Sequence, residues 1–318
     1  MRPRSSATAA GLLALVITAA PAQAGTIPGP DDFGGVQTPG GVVAPEVDLA
    51  FGAFQRGYYA TALQEAMKRV ATNPHDGAAK ALIAEIYSQG LAVRRDPAEA
   101  ARWDRLAAED GNREATFAYG MALLKGEGVP QDRAAAKAML EKAAAGNHPG
   151  ALYNLGIMAV DAHDWPTAAS LFQRAADAGD VDSLEALSAL YRQGRGVPQD
   201  LAKSITLLKD AADNRDASAA VQYGIMLFNG EGVQKDEAAA AKYFIKAALV
   251  GNPIAENRLA RLYAAGRGVN KDLVEAARWH LLARAAGVKD SWLDDMLTTL
   301  TPAERARVED SMRRQTDY

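Results

Sequence analysis

The sequence predicts an all-α solenoid of about seven helix-turn-helix repeats, closed at its end by C-terminal capping helices. A loop of the form Gly-x-Gly-Val-x-x-Asp recurs in constant phase along the chain. Small residues recur at intervals of 36 residues, interrupted once by an interval of 32. Self-similarity at such a period is typical of repeat arrays, in which each unit buries its apolar face against its neighbours.

Residues 1–24 are predicted to form a secretory signal peptide. Arg2 and Arg4 precede an apolar stretch at 11–20, and the Ala-Gln-Ala sequence at 22–24 fits a cleavage site. The alternative is an N-terminal membrane anchor. Ten apolar residues form only about 15 Å of helix, roughly half the thickness of a bilayer core, so the length favours cleavage.

Three further regions follow the signal peptide. Residues 25–45 contain six glycines and four prolines and are predicted to form a disordered linker. Residues 46–289 carry the repeats. Residues 290–318 are predicted to form capping helices and a tail, because Thr301 and Glu304 make a capping-box pattern at the start of the last helix.

Each repeat predicts two antiparallel helices with small residues between them. The first small residue of each leading helix starts a buried stripe, which continues four residues later with a core residue. A second small residue follows directly and permits close approach of the second helix. The first small residues are Ala79, Ala115, Ala151, Ser183, Ala219 and Ala255, and the large residues of the second helices are Trp103, Met139, Leu171, Leu207, Tyr243 and Trp279.

The recurring loop has a structural explanation. Its first glycine ends the leading helix, its second permits positive φ, its valine packs into the core and its aspartate caps the second helix. A phosphate cradle is the alternative for Gly-x-Gly, but no Gly-Lys-Ser/Thr follows it and no strand precedes it. The copies occupy 126–132, 194–200, 230–236 and 266–272, with a diverged copy at 90–96, whereas the units at 46–73 and 151–179 lack the loop.

The repeats resemble the Sel-1-like repeat family, a relative of the tetratricopeptide repeats. The resemblance covers 79–287, although the units at 46–73 and 151–179 look more like tetratricopeptide units. It implies a right-handed superhelical solenoid that scaffolds protein complexes, and exported bacterial members include regulators and adaptors at the cell envelope. The pattern is fullest at Ala255, Leu259, Tyr263, Gly266, Gly268, Val269, Asp272, Ala276, Trp279 and Ala283.

The composition argues against several other classes of protein. Removal of Arg2 and Arg4 from the 35 basic residues leaves 33 against 39 acidic ones, a net charge of −6, so nucleic acid is not an expected partner. The absence of cysteine excludes disulfides and thiolate metal sites. No segment of the mature chain reaches the apolar length of a membrane span.

No cofactor, metal or catalytic site is predicted. The four histidines lie in separate repeats without an i, i+4 pair, which disfavours zinc, and we interpret them as surface or turn residues. The signature motifs of serine hydrolases, β-lactamases and zinc proteases are absent from the sequence. The histidines are His75, His148, His163 and His280.

The leading-helix positions opposite the buried stripe form the predicted partner-binding groove. Exposed apolar surface framed by polar residues is typical of a docking site for a helix or an extended peptide. The alternative is that Phe117, Met121 and Ile157 pack between adjacent leading helices, as part of the core. The groove residues are Phe117, Met121, Tyr153, Ile157, Val221, Ile225, Arg258 and Arg261.

We therefore expect an exported scaffold or adaptor, periplasmic or secreted, that binds a protein or peptide partner in an envelope signalling or assembly complex. The alternative is a cell-wall hydrolase or a β-lactam-binding protein of the secreted Sel-1-like branch. That branch is cysteine-rich, and this chain has no cysteine. A purely structural oligomer is a third hypothesis, and the sequence leaves the oligomeric state open.

Overall fold

The computed structural model describes residues 48–316, and every regular element within that range is an α-helix. The predicted signal peptide at 1–24 and the predicted linker at 25–45 lie outside the described residues. The helices are α1 (Leu49–Gln55), α2 (Tyr59–Thr72), α3 (Gly77–Gln89), α4 (Pro97–Glu109), α5 (Arg113–Lys125), α6 (Arg133–Ala145), α7 (Pro149–Asp161), α8 (Trp165–Asp177), α9 (Asp182–Gln193), α10 (Leu201–Asp213), α11 (Ala217–Asn229), α12 (Glu237–Ala248), α13 (Pro253–Ala265), α14 (Leu273–Ala285), α15 (Ser291–Thr298) and α16 (Pro302–Thr316).

The helices pack in sequential order, which confirms the predicted all-α solenoid of seven helix pairs. The odd-numbered helices from α1 to α13 lead each pair, and the even-numbered helices from α2 to α14 follow. Each second helix contacts its own leading helix and the leading helix of the next unit. Helix α15 packs on α13 and α14, and α16 packs on α14, so these two helices cover the end of the array.

The small-residue seam is present as predicted. All six first small residues of the leading helices are buried, from Ala79 to Ala255. The second small residues allow close helix contact: a methyl group added to Gly156 would lie 2.5 Å from the Phe172 ring, and one added to Gly224 would lie 2.8 Å from the Phe244 ring. Packing of this density leaves no room for one more carbon atom.

In five of the six second helices from α4 to α14, the residue one position after the large residue that the sequence pattern selected is buried, and in α4 it is half-buried. Trp103, Met139, Leu171, Leu207 and Tyr243 are half-buried, whereas the four following residues in the middle units are fully enclosed apolar side chains. The corresponding residues of the first and last units with the long loop are polar. This core position holds Asp104, Leu140, Phe172, Leu208, Phe244 and His280.

The loop has the geometry expected of it. Its first glycine is a left-handed C-cap, as at Gly266 (φ 68°), and its aspartate caps the next helix, as Asp272 does by accepting hydrogen bonds from the N–H groups of Val274 and Glu275 at 2.9 and 3.1 Å. The second glycine has positive φ in all four full copies. It also approaches the preceding unit so closely that a methyl group on Gly268 would lie 2.1 Å from the carbonyl oxygen of Glu237.

Two of the six units between 77 and 288 end on a left-handed residue other than glycine. In the unit at 113–148, Gly146 has φ −86° and the left-handed residue is Asn147, with φ 55°. Asparagine tolerates this conformation better than most residues with a side chain. Arg215 occupies the equivalent position with φ 72°.

The interpretation of all four histidines as surface or turn residues is wrong for His280. Its side chain is fully buried in α14, and its Nε2 lies 2.8 Å from Oδ1 of Asp294 in α15. His148 is a turn residue but is also buried, because its ring caps α7 and stacks on Phe117. Both burials depend on contacts across helices that no local pattern reveals.

Candidate partner-binding surface

The predicted groove residues divide into three groups. Val221 is buried, with 6% exposure, and belongs to the core. Phe117, Met121, Tyr153, Ile157 and Ile225 are half-buried, and each packs against a hydrophobic cluster while retaining exposed surface. Arg258 and Arg261 are exposed. The half-buried residues therefore contact neighbouring helices and also contribute to the surface.

The first part of this surface is aromatic and held in place by a histidine. The Phe117 ring stacks on the His148 ring with centroids 4.2 Å apart. Nδ1 of His148 accepts a hydrogen bond from the N–H of Ala151 at 3.1 Å, so Nε2 carries the proton that it donates to Oε2 of Glu114 at 2.9 Å. This pairing fixes the ring plane on which Phe117 rests.

The middle of the surface is acidic. Burial raises the pKa of Asp182, and the nearby charges of Asp180 and Asp216 raise it further. Burial likewise raises the pKa of Glu185, which accepts a hydrogen bond from the Ser218 hydroxyl at 2.9 Å. The pKa of the half-buried Tyr153 hydroxyl rises to about 12, first through burial and then through these carboxylates.

The end of the surface is cationic. Arg261 makes a bidentate ion pair with Asp290, with Nε–Oδ2 and Nη2–Oδ1 distances of 2.6 and 2.8 Å. Asn257 donates a third hydrogen bond to Asp290 at 2.8 Å. Burial raises the pKa of Asp290, but the hydrogen bonds from Arg261 and Asn257 outweigh burial and hold the pKa below its usual value. The same carboxylate caps α15, so the ion pair ties the capping helix to α13.

A cavity at this cationic end brings together Ile225, Arg258 and Arg261 from the predicted groove. We call it the C-terminal pocket, and it also includes Phe228, Arg267 and Trp292. The sequence analysis missed these last three residues. Trp292 gave one usable signal, since a tryptophan in a short capping helix outside the repeat pattern has no place in the repeat core.

A second depression, of about 870 Å³, lies at the short unit 151–179, which lacks the long loop. It is lined by residues of α6, α7 and α8. Its charges are balanced, because Nη2 of Arg133 lies 2.7 Å from Oδ2 of Asp161 and Lys137 faces Glu141. Nothing in this lining selects one class of ligand.

Within residues 48–316, no group of three or more histidine or acidic side chains is arranged to hold a metal ion. In the same range, no helix combines the length and the apolar character that crossing a bilayer requires.

Comparison with known proteins gives matches that agree with this geometry. The Sel1 repeat model matches six consecutive segments, 77–112, 113–148, 149–180, 181–216, 217–252 and 253–288. A Sel1 repeat protein from Oxalobacter formigenes is 31% identical, with a TM-score of 0.70 over 74% of this chain and 98% of that one. No curated protein matches the chain.

A second solved structure is a protective antigen of uropathogenic Escherichia coli that displays an SLR fold. It is 28% identical, with a TM-score of 0.64 over 71% of this chain. The match spans about half of that antigen, 49% of its length. Sel1 repeat proteins generally mediate protein–protein interactions and are generally not enzymes. With six matched repeats over most of its length, this chain belongs to the Sel1 repeat family.

Proposed function

We propose that the protein is an exported scaffold that binds a protein partner through its leading-helix surface, in an envelope signalling or assembly complex. The observation that carries the proposal is the set of half-buried apolar side chains on the leading helices α5, α7 and α11, the last of which lines the C-terminal pocket. Partly exposed apolar surface of this kind, bordered by charges, is typical of docking sites.

The signal-peptide pattern at 1–24 supports export, to the periplasm or beyond. Mass spectrometry of the protein purified from its host should find Gly25 at the mature N-terminus. Replacement of Ala24 by leucine should block cleavage, because the peptidase requires a small residue there. A cytoplasmic protein that retains Met1 would contradict export but leave the scaffold proposal standing.

The scaffold proposal is tested with a surface variant. The partner is first identified by affinity capture from envelope extracts, and its affinity is then measured with purified proteins. The combined Phe117→Ser, Tyr153→Ser and Ile225→Ser variant should lose at least about tenfold in affinity, because truncation of one side chain that dominates an interface costs about 2 kcal/mol or more, and about 1.4 kcal/mol corresponds to tenfold.

The matched control replaces Leu201 and Leu249, which are 55% and 71% exposed on second helices and their ends. The Leu201→Ser, Leu249→Ser variant should keep full affinity. Circular dichroism shows whether the surface variant remains folded. Loss of its helical signal would support the alternative, in which Phe117 belongs to the core. Equal affinity of both variants would refute the surface assignment.

The hydrolase alternative has its own test. Turnover of nitrocefin by the purified protein, abolished by one substitution, would replace the scaffold proposal with that alternative.

A further inference from the structure

The C-terminal pocket combines aromatic walls with guanidinium groups. Its volume is about 300 Å³, at the lower end of the range of ligand sites. Trp292 contributes one wall and is 47% exposed, although a side chain of this size is rarely left uncovered without reason. Phe228 contributes another wall from α11. The cavity has room for one large apolar side chain.

Two of its three arginines are already neutralised. Arg261 pairs with Asp290, and its guanidinium carbon lies 5.4 Å from the Trp292 ring centroid. Arg267 pairs with Glu237 through an Nε–Oε2 contact of 3.2 Å and lies 4.2 Å from the Phe228 ring centroid. Both guanidinium groups therefore act as flat walls rather than as free charges.

Arg258 is different, because it makes no ion pair with any carboxylate of residues 48–316. Asp290 is the carboxylate in the lining shared by Arg258 and Arg261, but its oxygens already accept hydrogen bonds from Arg261, Asn257 and the N–H of Leu293. No carboxylate belongs to the lining of the C-terminal pocket. An exposed cation therefore stands beside an open aromatic cavity.

We propose that the C-terminal pocket binds a segment of a partner polypeptide in which an aromatic or large aliphatic side chain adjoins an aspartate or glutamate. The apolar side chain lies between Trp292 and Phe228, and the carboxylate pairs with Arg258. The leading-helix surface also includes residues of α5 and α7, which do not line the pocket. A bound segment therefore runs past the pocket, and the carboxylate comes from a side chain rather than from a chain terminus. This inference rests on the proposed scaffold function.

The test uses the full chain labelled with nitrogen-15 and the probe acetyl-Phe-Asp-amide. The indole N–H signal of Trp292 reports binding, and those of Trp103, Trp165 and Trp279 serve as internal references. Acetyl-Phe-Asn-amide removes the charge, acetyl-Ala-Asp-amide removes the ring, and acetyl-phenylalanine places the carboxylate at the chain end. The variant is Arg258→Gln, and its control is Arg94→Gln, another exposed arginine outside the pocket lining.

We expect a saturable shift of the Trp292 signal with acetyl-Phe-Asp-amide. The asparagine probe should bind about fivefold more weakly, as for a partly exposed ion pair. The alanine probe should bind about tenfold more weakly or worse, because it loses the burial of the ring. Arg258→Gln should remove the preference for aspartate over asparagine, and Arg94→Gln should preserve it. Any of three results would overturn the proposal: no shift at Trp292, equal binding of the aspartate and asparagine probes, or tighter binding of acetyl-phenylalanine.

The failure of this inference is distinguishable from the failure of the scaffold proposal. A partner that binds through Phe117 and Tyr153 but tolerates Arg258→Gln leaves the scaffold standing and refutes the pocket. A partner whose affinity falls with Arg258→Gln and with Trp292→Ala, and is unchanged by Arg94→Gln, supports both. Loss of affinity in the Arg94→Gln control would refute the assignment of the charge contact to Arg258.

Discussion

The second glycine of the loop meets two requirements, a positive φ and close contact with the preceding unit, and replacement of Gly268 by alanine tests the second. Gly268 has φ 68°, and its added methyl carbon would lie 2.1 Å from the Glu237 carbonyl oxygen, 2.4 Å from its carbonyl carbon and 3.0 Å from the Ala238 nitrogen. Gly251 has φ 78° and nothing within 4 Å of such a methyl group. Gly251→Ala therefore isolates the cost of the left-handed conformation.

Gly268→Ala should cost about two to three times as much as Gly251→Ala. The left-handed conformation costs an alanine about 1–2 kcal/mol, and we assign this value to Gly251→Ala. Gly268→Ala adds an overlap of roughly 1 Å with rigid backbone, which costs about a further 1–3 kcal/mol, as overpacking does. Gly232→Ala should resemble Gly251→Ala, because the atom it meets, at 2.7 Å, is the flexible end of Ile205. The effect of alanine on the unfolded chain is the same in all three.

Urea unfolding followed by far-ultraviolet circular dichroism measures these differences. Because repeat arrays can unfold in parts, hydrogen exchange of the amides in α12 and α13 locates the loss. We expect it to concentrate at the contact between these two units in Gly268→Ala. Equal midpoints for Gly268→Ala and Gly251→Ala would refute the contact as the reason for the glycine and leave only its φ.

Two further predictions concern the polar residues at the core position of the outer units. Burial, with a smaller contribution from Glu85, raises the pKa of Asp104 from 3.8 to about 7. At pH values between 3.8 and about 7, Asp104 keeps its proton in the folded chain and loses it in the unfolded chain. Its contribution to the free energy of unfolding therefore falls as the pH rises through this range. Asp104→Leu, which copies Leu140, should stabilise the protein at pH 8 and much less at pH 4; a gain independent of pH would contradict the pKa. Among residues 48–316, Asp294 alone hydrogen-bonds the buried His280 ring, and Nδ1 of that ring has no partner there. Asp294→Ala should therefore cost about 1–3 kcal/mol in thermal unfolding. His280→Phe, which copies the preceding unit, should make Asp294→Ala nearly neutral, and additive effects would contradict a direct bond.

The half-buried state of the predicted groove resolves one question that periodicity left open. A helical wheel separates a buried stripe from its opposite face, but it does not say how far the neighbouring helix covers a residue between them. Val221 proved to be core because adjacent helices enclose it, whereas Ile225, four residues later, reaches the C-terminal pocket. The difference depends on α13 and α15, which are distant in sequence.

The sequence by itself determined the features that depend on local chain chemistry. The left-handed first glycine and the aspartate cap of each repeat follow from backbone hydrogen bonds within a few residues. Thr301 and Glu304 form the predicted capping box, in which the N–H of Thr301 donates to Oε2 of Glu304 at 2.8 Å. The six matched repeats confirm the repeat period.

Only the tertiary structure decided the features made by residues from different units. The burial of His280 requires Asp294 from the capping helix, and the C-terminal pocket requires Trp292 opposite Phe228, 64 positions earlier in the chain. The free charge of Arg258 depends on Asp290 being saturated by other donors. Such arrangements arise from how each helix pair stacks on the next, and short-range periodicity carries no information about them.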